Sequence, residues 1–119
     1  NFTNIKTSLQ FAKDEIESVL AKDRKCGLVL YKYFQDMVKI TNECYRILKK
    51  GNCLVYVVGN STIKGNHFST ENVFIDMCKE IGFKYERKFS RPYYSYRMST
   101  KRNIQSNKIK EDIFLIFIK

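Results

Sequence analysis

The apolar positions of this chain change period halfway along it, and that change divides it into helices followed by strands. Residues 5–22 read as a helix, with Ile5, Leu9, Ala12, Ile16, Val19 and Leu20 at three- and four-residue steps and Asp14, Glu15 and Glu17 on the other side. Asp23-Arg24-Lys25 with Gly27 marks a break or bend. A stronger helix follows over residues 28–50, its stripe running through Leu30, Tyr33, Phe34, Met37, Val38, Thr41, Cys44, Tyr45 and Leu48. Lys49 and Lys50 complement its negative end, and Gly51 stands where a helix commonly turns left-handed to stop. Cys53–Val58 is apolar at both parities, so both faces of this strand call for burial, as in a central strand covered by helices on both sides.

Gly59 and Gly65 then bracket a short polar loop. Ser69 or Thr70 caps a third helix that ends at Gly82, with Val73, Phe74, Met77, Cys78 and Ile81 facing inward. Phe83, Tyr85, Arg87 and Phe89 alternate with Lys84, Glu86 and Lys88, as a half-buried strand should, and Pro92 ends that strand or keeps it at an edge. Residues 93–110 carry no period. Residues 113–118, IFLIFI, form a last strand expected to pair antiparallel with residues 83–89 across a connection far longer than most hairpin loops. A long loop at a sheet edge usually has a function.

Composition narrows the class. The chain has 119 residues, enough for one domain, and 44% apolar with 14% aromatic residues argue for a folded core. No apolar run nears the ~20 residues of a membrane span, and the first residues lack the apolar centre of a signal peptide. Four scattered cysteines, no C-x-x-C and a single histidine, His67, give no zinc or redox pattern. Cys44, Cys53 and Cys78 fall in apolar patterns and are expected as buried, reduced thiols, which points to the cytoplasm. His67 reads as a surface loop residue, and Asp36 and Glu43 as partners for Lys39 or Lys50 rather than catalytic acids.

The net charge of +10 is concentrated: residues 87–110 hold eight basic side chains and no acidic one. Arg87, Lys88, Arg91, Arg97, Lys101 and Arg102 are interleaved there with Tyr93, Tyr94 and Tyr96. Guanidinium groups fit phosphates in a bidentate fork and tyrosine rings stack on bases, so these nine residues are candidates for contact with nucleic acid. The plainer alternative is a solvated basic loop with tyrosines at strand ends.

Taken together, YFQDMVKITNECYRILKKGNCLVYVVGNSTIKG resembles the helix, Gly turn and fifth strand of class I S-adenosylmethionine-dependent DNA amino-methyltransferases, those that modify N6 of adenine or N4 of cytosine. The shared residues are Tyr33-Phe34, Asp36-Met37, Arg46, Leu48-Lys49 and Gly51, then Val57-Val58-Gly59-Asn60-Ser61 and Gly65, with Ile81-Gly82-Phe83 and Arg91-Pro92 downstream. The resemblance covers residues 28–119 and leaves residues 1–25 as a variable helical segment. It implies an α/β chain, a partial Rossmann-like fold with a central parallel strand and a C-terminal antiparallel strand pair, the last strand slotting antiparallel beside the fifth, belonging to a restriction-modification enzyme. Two family motifs are missing. The five glycines are scattered rather than clustered as in the cofactor loop, and with Pro92 the sole proline there is no Pro-Pro-Tyr catalytic motif.

The resemblance therefore implies a C-terminal portion that needs its upstream half for S-adenosylmethionine and catalysis and is inactive alone. Asn60, Ser61 and Thr62 would form the active-site rim, with Asn60 either bonding the catalytic loop or target base, or serving only as a turn residue. The expected partners are DNA before RNA, that upstream half, and a second copy pairing along the exposed strand edge. A stand-alone nucleic-acid-binding or regulatory module, or the matching part of an RNA (tRNA) methyltransferase, are the alternatives.

Overall fold

The structure, a computed structural model, describes residues 7–63, 66–92 and 111–119. A 3-10 turn, Thr7–Ala12, leads into α1 (Lys13–Lys22), so the first expected helix is present but its opening turn is wound more tightly and kinked at Leu9. The break falls at Asp23, whose side chain caps α2 (Arg24–Ile47) by accepting from the Cys26 N–H at 3.0 Å. Gly27 is not part of the break. It lies inside α2 because the two helices cross there: a Cβ on Gly27 would stand 2.6 Å from the Leu20 side chain and 2.8 Å from its Cα. At its other end α2 stops earlier than residue 50. Gly51, at φ +88°, serves the turn into the next strand, its N–H donating to the Lys119 carbonyl at 2.8 Å.

Three strands form one antiparallel sheet in the order β1 (Cys53–Val58), β5 (Glu111–Ile118), β4 (Lys84–Pro92). β5 pairs with β4 across residues 93–110, as the sequence leads one to expect, and Pro92 sits on an edge strand. β5 is the middle strand and pairs antiparallel with β1, Cys53 opposite Ile118 and Val58 opposite Ile113, as the resemblance implies. Among the described residues β1 has no parallel neighbour and stands at the sheet edge.

The core lies on one side of this sheet. Ile113, Leu115 and Phe117 of β5 pack with Phe34 of α2 and with Val73, Phe74, Met77 and Cys78 of α3 (Thr70–Ile81), and Leu9, Ala12 and Ile16 close the end. Leu54, Tyr56 and Val58 border this cluster, while Cys53, Val55 and Val57, on the other face of β1, are exposed. The expectation of helices on both faces, and of a buried Cys53, therefore fails for the outer face. α2 is tied to β1 by a hydroxyl pair: Thr41 is fully buried, its Oγ1 donates to the Met37 carbonyl at 2.8 Å, and so the Tyr56 hydroxyl must donate to Thr41 at 2.7 Å. Burial pushes the Tyr56 phenol pKa up.

β4 does not keep the alternation its sequence suggests. A bulge between Tyr85 and Arg87 inserts one residue, and one residue reverses the parity of everything after it. Tyr85 faces the core, but Phe89 lies outside, stacked on Phe114 with ring centres 4.7 Å apart.

The thiols are all unpaired. Burial pushes Cys78 up to about 12, whereas Cys53 is exposed. At pH 8 we expect Cys53 to react with a thiol reagent in the native chain and Cys78 only after denaturation, read by mass spectrometry of the labelled peptides. The linkage has a definite sign. Above the ordinary thiol value of 9.0 the unfolded chain loses the Cys78 proton first, so its contribution to stability is full below that pH and declines as pH rises towards about 12.

Candidate functional site

The polar loop after β1 is not irregular throughout. Ser61–Ile63 (β2) and Asn66–Phe68 (β3) form a small antiparallel hairpin, Ser61 opposite Phe68 and Thr62 opposite His67. His67 is therefore a strand residue, not a loop residue. The hairpin returns the chain to α3, whose first turn lacks a side-chain cap from Ser69. The cap comes from farther away: Asn60 Oδ1 accepts from the Glu71 N–H at 3.2 Å. Only the amide oxygen can accept this bond, so Asn60 offers its Nδ2 donor to anything beyond it. This role was not legible in sequence, because Asn60 and Glu71 are eleven residues apart with the hairpin between.

Glu71 also receives Lys88, whose Nζ lies 3.1 Å from both carboxylate oxygens. β1, α3 and β4 thus meet through Asn60, Glu71 and Lys88, beside a cleft of about 230 Å³ that Phe89, Ser90 and Glu111 also line. Nearby, Arg91 pairs with Asp112 at 2.9 Å. Both acids are largely covered, at 16% and 17% side-chain exposure, while Lys88 and Arg91 remain 50% and 68% exposed. Removing the cap is a direct check: Asn60→Ala should lower stability by about 1 kcal/mol in urea denaturation, and Asn60→Asp, which keeps an acceptor, by less.

A second cleft of about 300 Å³ opens on the other side of Gly59, between α2 and the end of β1. Tyr33, Phe34, Val57 and Phe68 supply its apolar walls and Thr70 a hydroxyl. Burial raises the Tyr33 phenol pKa. Its described lining residues include no carboxylate that could take an ammonium group or ribose hydroxyls. Among the described residues no three His, Cys, Asp or Glu side chains gather as a metal site, and no helix is long and apolar enough to cross a membrane.

Of the nine residues expected to contact nucleic acid, three are described. Arg87, opposite Ile116, and Arg91, opposite and paired with Asp112, are exposed on the outer face on either side of Phe89, while Lys88, between them in sequence, is turned inward to α3. Tyr93, Tyr94, Tyr96, Arg97, Lys101 and Arg102 lie outside the described residues. Asp36 pairs with Lys32 at 3.0 Å and Lys39 at 3.6 Å, and Lys32 holds its carboxyl below the ordinary value. Glu43 takes Arg46 at 2.7 Å in place of Lys50.

A sheet whose last strand is inserted antiparallel between two earlier ones matches part of a solved structure. The likeness in fold is to TTHA0409 of Thermus thermophilus, assigned as a DNA modification methylase. Its selenomethionine form superposes with a TM-score of 0.56 at 22% identity, covering 82% of this chain and 41% of that one. The form complexed with S-adenosyl-L-methionine gives 0.57 at 23% identity over 77% and 39%. In sequence the chain is 28% identical over 83 residues to the type II methyltransferase M.AvaI of Nostoc sp. strain PCC 7120, and equally to that of Anabaena variabilis. No family model matches. The chain is thus similar in sequence to part of M.AvaI, spanning 17% of its length, and similar in fold to part of TTHA0409.

Proposed function

We propose that the chain is the C-terminal part of an S-adenosylmethionine-dependent DNA methyltransferase that modifies an exocyclic amino group of adenine or cytosine in a cytoplasmic restriction-modification system. The observation that carries this reading is the β1–β5–β4 order joined to the Val57-Val58-Gly59-Asn60-Ser61 rim: topology and residue pattern point to the same family through independent routes.

The chemistry divides accordingly. An amino group on a paired base is out of reach inside the duplex, so the base has to leave its stack while the strand is held by phosphate contacts. In this reading the basic, tyrosine-rich residues 93–110 hold the strand, and Asn60 Nδ2 faces the place where the base arrives. Cofactor binding and the catalytic carbonyl groups come, in this reading, from the upstream part.

Two titrations test it. S-adenosylmethionine injected into the 119-residue chain should give no heat; saturable binding would mean that this chain builds a cofactor site of its own. Duplex DNA should bind with an affinity that falls steeply with salt, and replacing Arg97, Lys101 and Arg102 together by alanine should flatten the log–log slope by about 2–3. An unchanged slope would remove the loop from the interface, and tighter binding to an RNA hairpin would favour an RNA methyltransferase.

A further inference from the structure

Lys88 owes its direction to one extra residue. Strict alternation along β4 would put it beside Lys84 on the outer face, since the two are four residues apart. The bulge between Tyr85 and Arg87 reverses the parity, so Lys84 stands opposite Ile118 on the outer face and Lys88 opposite Leu115 on the inner one. A charge on the core side of a sheet is costly unless it is paired. Glu71 supplies the pair from the first turn of α3, both of its carboxylate oxygens lying 3.1 Å from the ammonium group. An ion pair this open to solvent adds little to stability. Its effect is on geometry: the side chain of Glu71 is held to β4 while its backbone N–H donates to Asn60 Oδ1 at 3.2 Å. Because the amide of Asn60 is planar, fixing Oδ1 fixes the direction of Nδ2 as well. Three residues from three elements thus form one relay along the wall of the smaller cleft.

We propose that Lys88 is a positioning residue: acting through Glu71, it sets the direction in which Asn60 presents Nδ2 to an incoming base, and the β4 bulge is the device that aims it. The proposal rests on the reading of Asn60 given above. It also takes Lys88 out of the set of cations that touch phosphate. An ammonium group that faces both oxygens of a largely covered carboxylate would have to give up that pair to bind a phosphate, so it releases no counterion when DNA binds. Arg87 and Arg91 stay outside the relay, because the same bulge leaves both on the outer face.

The test uses the whole chain, labelled with nitrogen-15, and a DNA duplex carrying one unpaired adenine or cytosine. In Lys88→Met, and separately in Glu71→Gln, we expect the side-chain amide resonances of Asn60 to shift and the thermal midpoint to stay in place. Lys88→Arg, which keeps a cation for Glu71, should restore the resonances. Affinity for the unpaired-base duplex should fall about three- to tenfold in Lys88→Met, the worth of one hydrogen bond, and by the same factor in Asn60→Asp, which keeps the acceptor for Glu71 but removes the donor. The log–log salt slope of Lys88→Met should equal that of the unaltered chain; a slope flatter by about 1 would make Lys88 a phosphate ligand and overturn the proposal. Asn60 resonances that do not move in Lys88→Met and Glu71→Gln overturn it as well. If the unaltered chain binds the unpaired-base duplex no better than a fully paired one, the base-facing reading of Asn60 falls instead, and the resonances still decide whether Lys88 sets its direction.

Discussion

Phe34→Ala should cost about 3–5 kcal/mol, the largest loss expected from any single truncation in this chain. Phe34 is completely buried and is the ring on which the layers converge: Phe11, Tyr33, Phe68 and Phe74 stand 5.1–6.2 Å from it, centre to centre. Those partners come from the opening turn, α2, β3 and α3, so no single element can collapse into the space an alanine would leave. A domain with about 5–15 kcal/mol of total stability loses much of its margin. Phe34 also walls the larger cleft below Gly59, so the substitution joins the core to the rim. Urea denaturation followed by circular dichroism measures the loss, and Phe34→Leu serves as the volume-preserving control, expected to cost about 1.5 kcal/mol or less. A loss below about 1 kcal/mol for alanine would mean that the hairpin carrying Phe68 closes over the gap.

Gly27→Ala comes second and runs against helix propensity. In an open helix the change would gain about 1 kcal/mol. Here the new Cβ meets the Leu20 side chain at 2.6 Å and the Leu20 Cα at 2.8 Å, and the second clash involves backbone that no rotamer can move. Separating α1 from α2 is the remaining option, and we expect a net loss of about 1–3 kcal/mol. Leu20→Ala in the same chain relieves the side-chain clash but leaves the backbone one, so it should recover only part of the loss. Complete recovery would show that the side chain alone sets the spacing.

The same glycine illustrates what a sequence leaves ambiguous. Beside Asp23-Arg24-Lys25 it reads as part of a break, since glycine punctuates more chains than it pairs helices in. Its function depends on Leu20, a neighbour across the crossing whose distance only the packed hairpin defines. Phe89 is a second case. Strict alternation puts it with Phe83 and Tyr85 on the inner face, and the bulge at Tyr85–Arg87 moves it outside. Asn60 is a third, since its value as a cap depends on a hairpin delivering Glu71 back to it.

What the sequence by itself determined is local and periodic: three helices, the three strands of the main sheet, the stop at Gly82 and the antiparallel closing pair, together with the resemblance to DNA amino-methyltransferases. Those features follow from steric periodicity and turn chemistry within a few residues, and such signals are written along the chain. The tertiary structure decided everything that depends on counting across strands or on what lies opposite. It left one face of β1 open, moved Phe89 to the outer face, and turned Lys88 inward to α3 while Arg87 and Arg91 stayed outside. An apolar strand states that it needs cover on both faces; it does not state which polypeptide provides it.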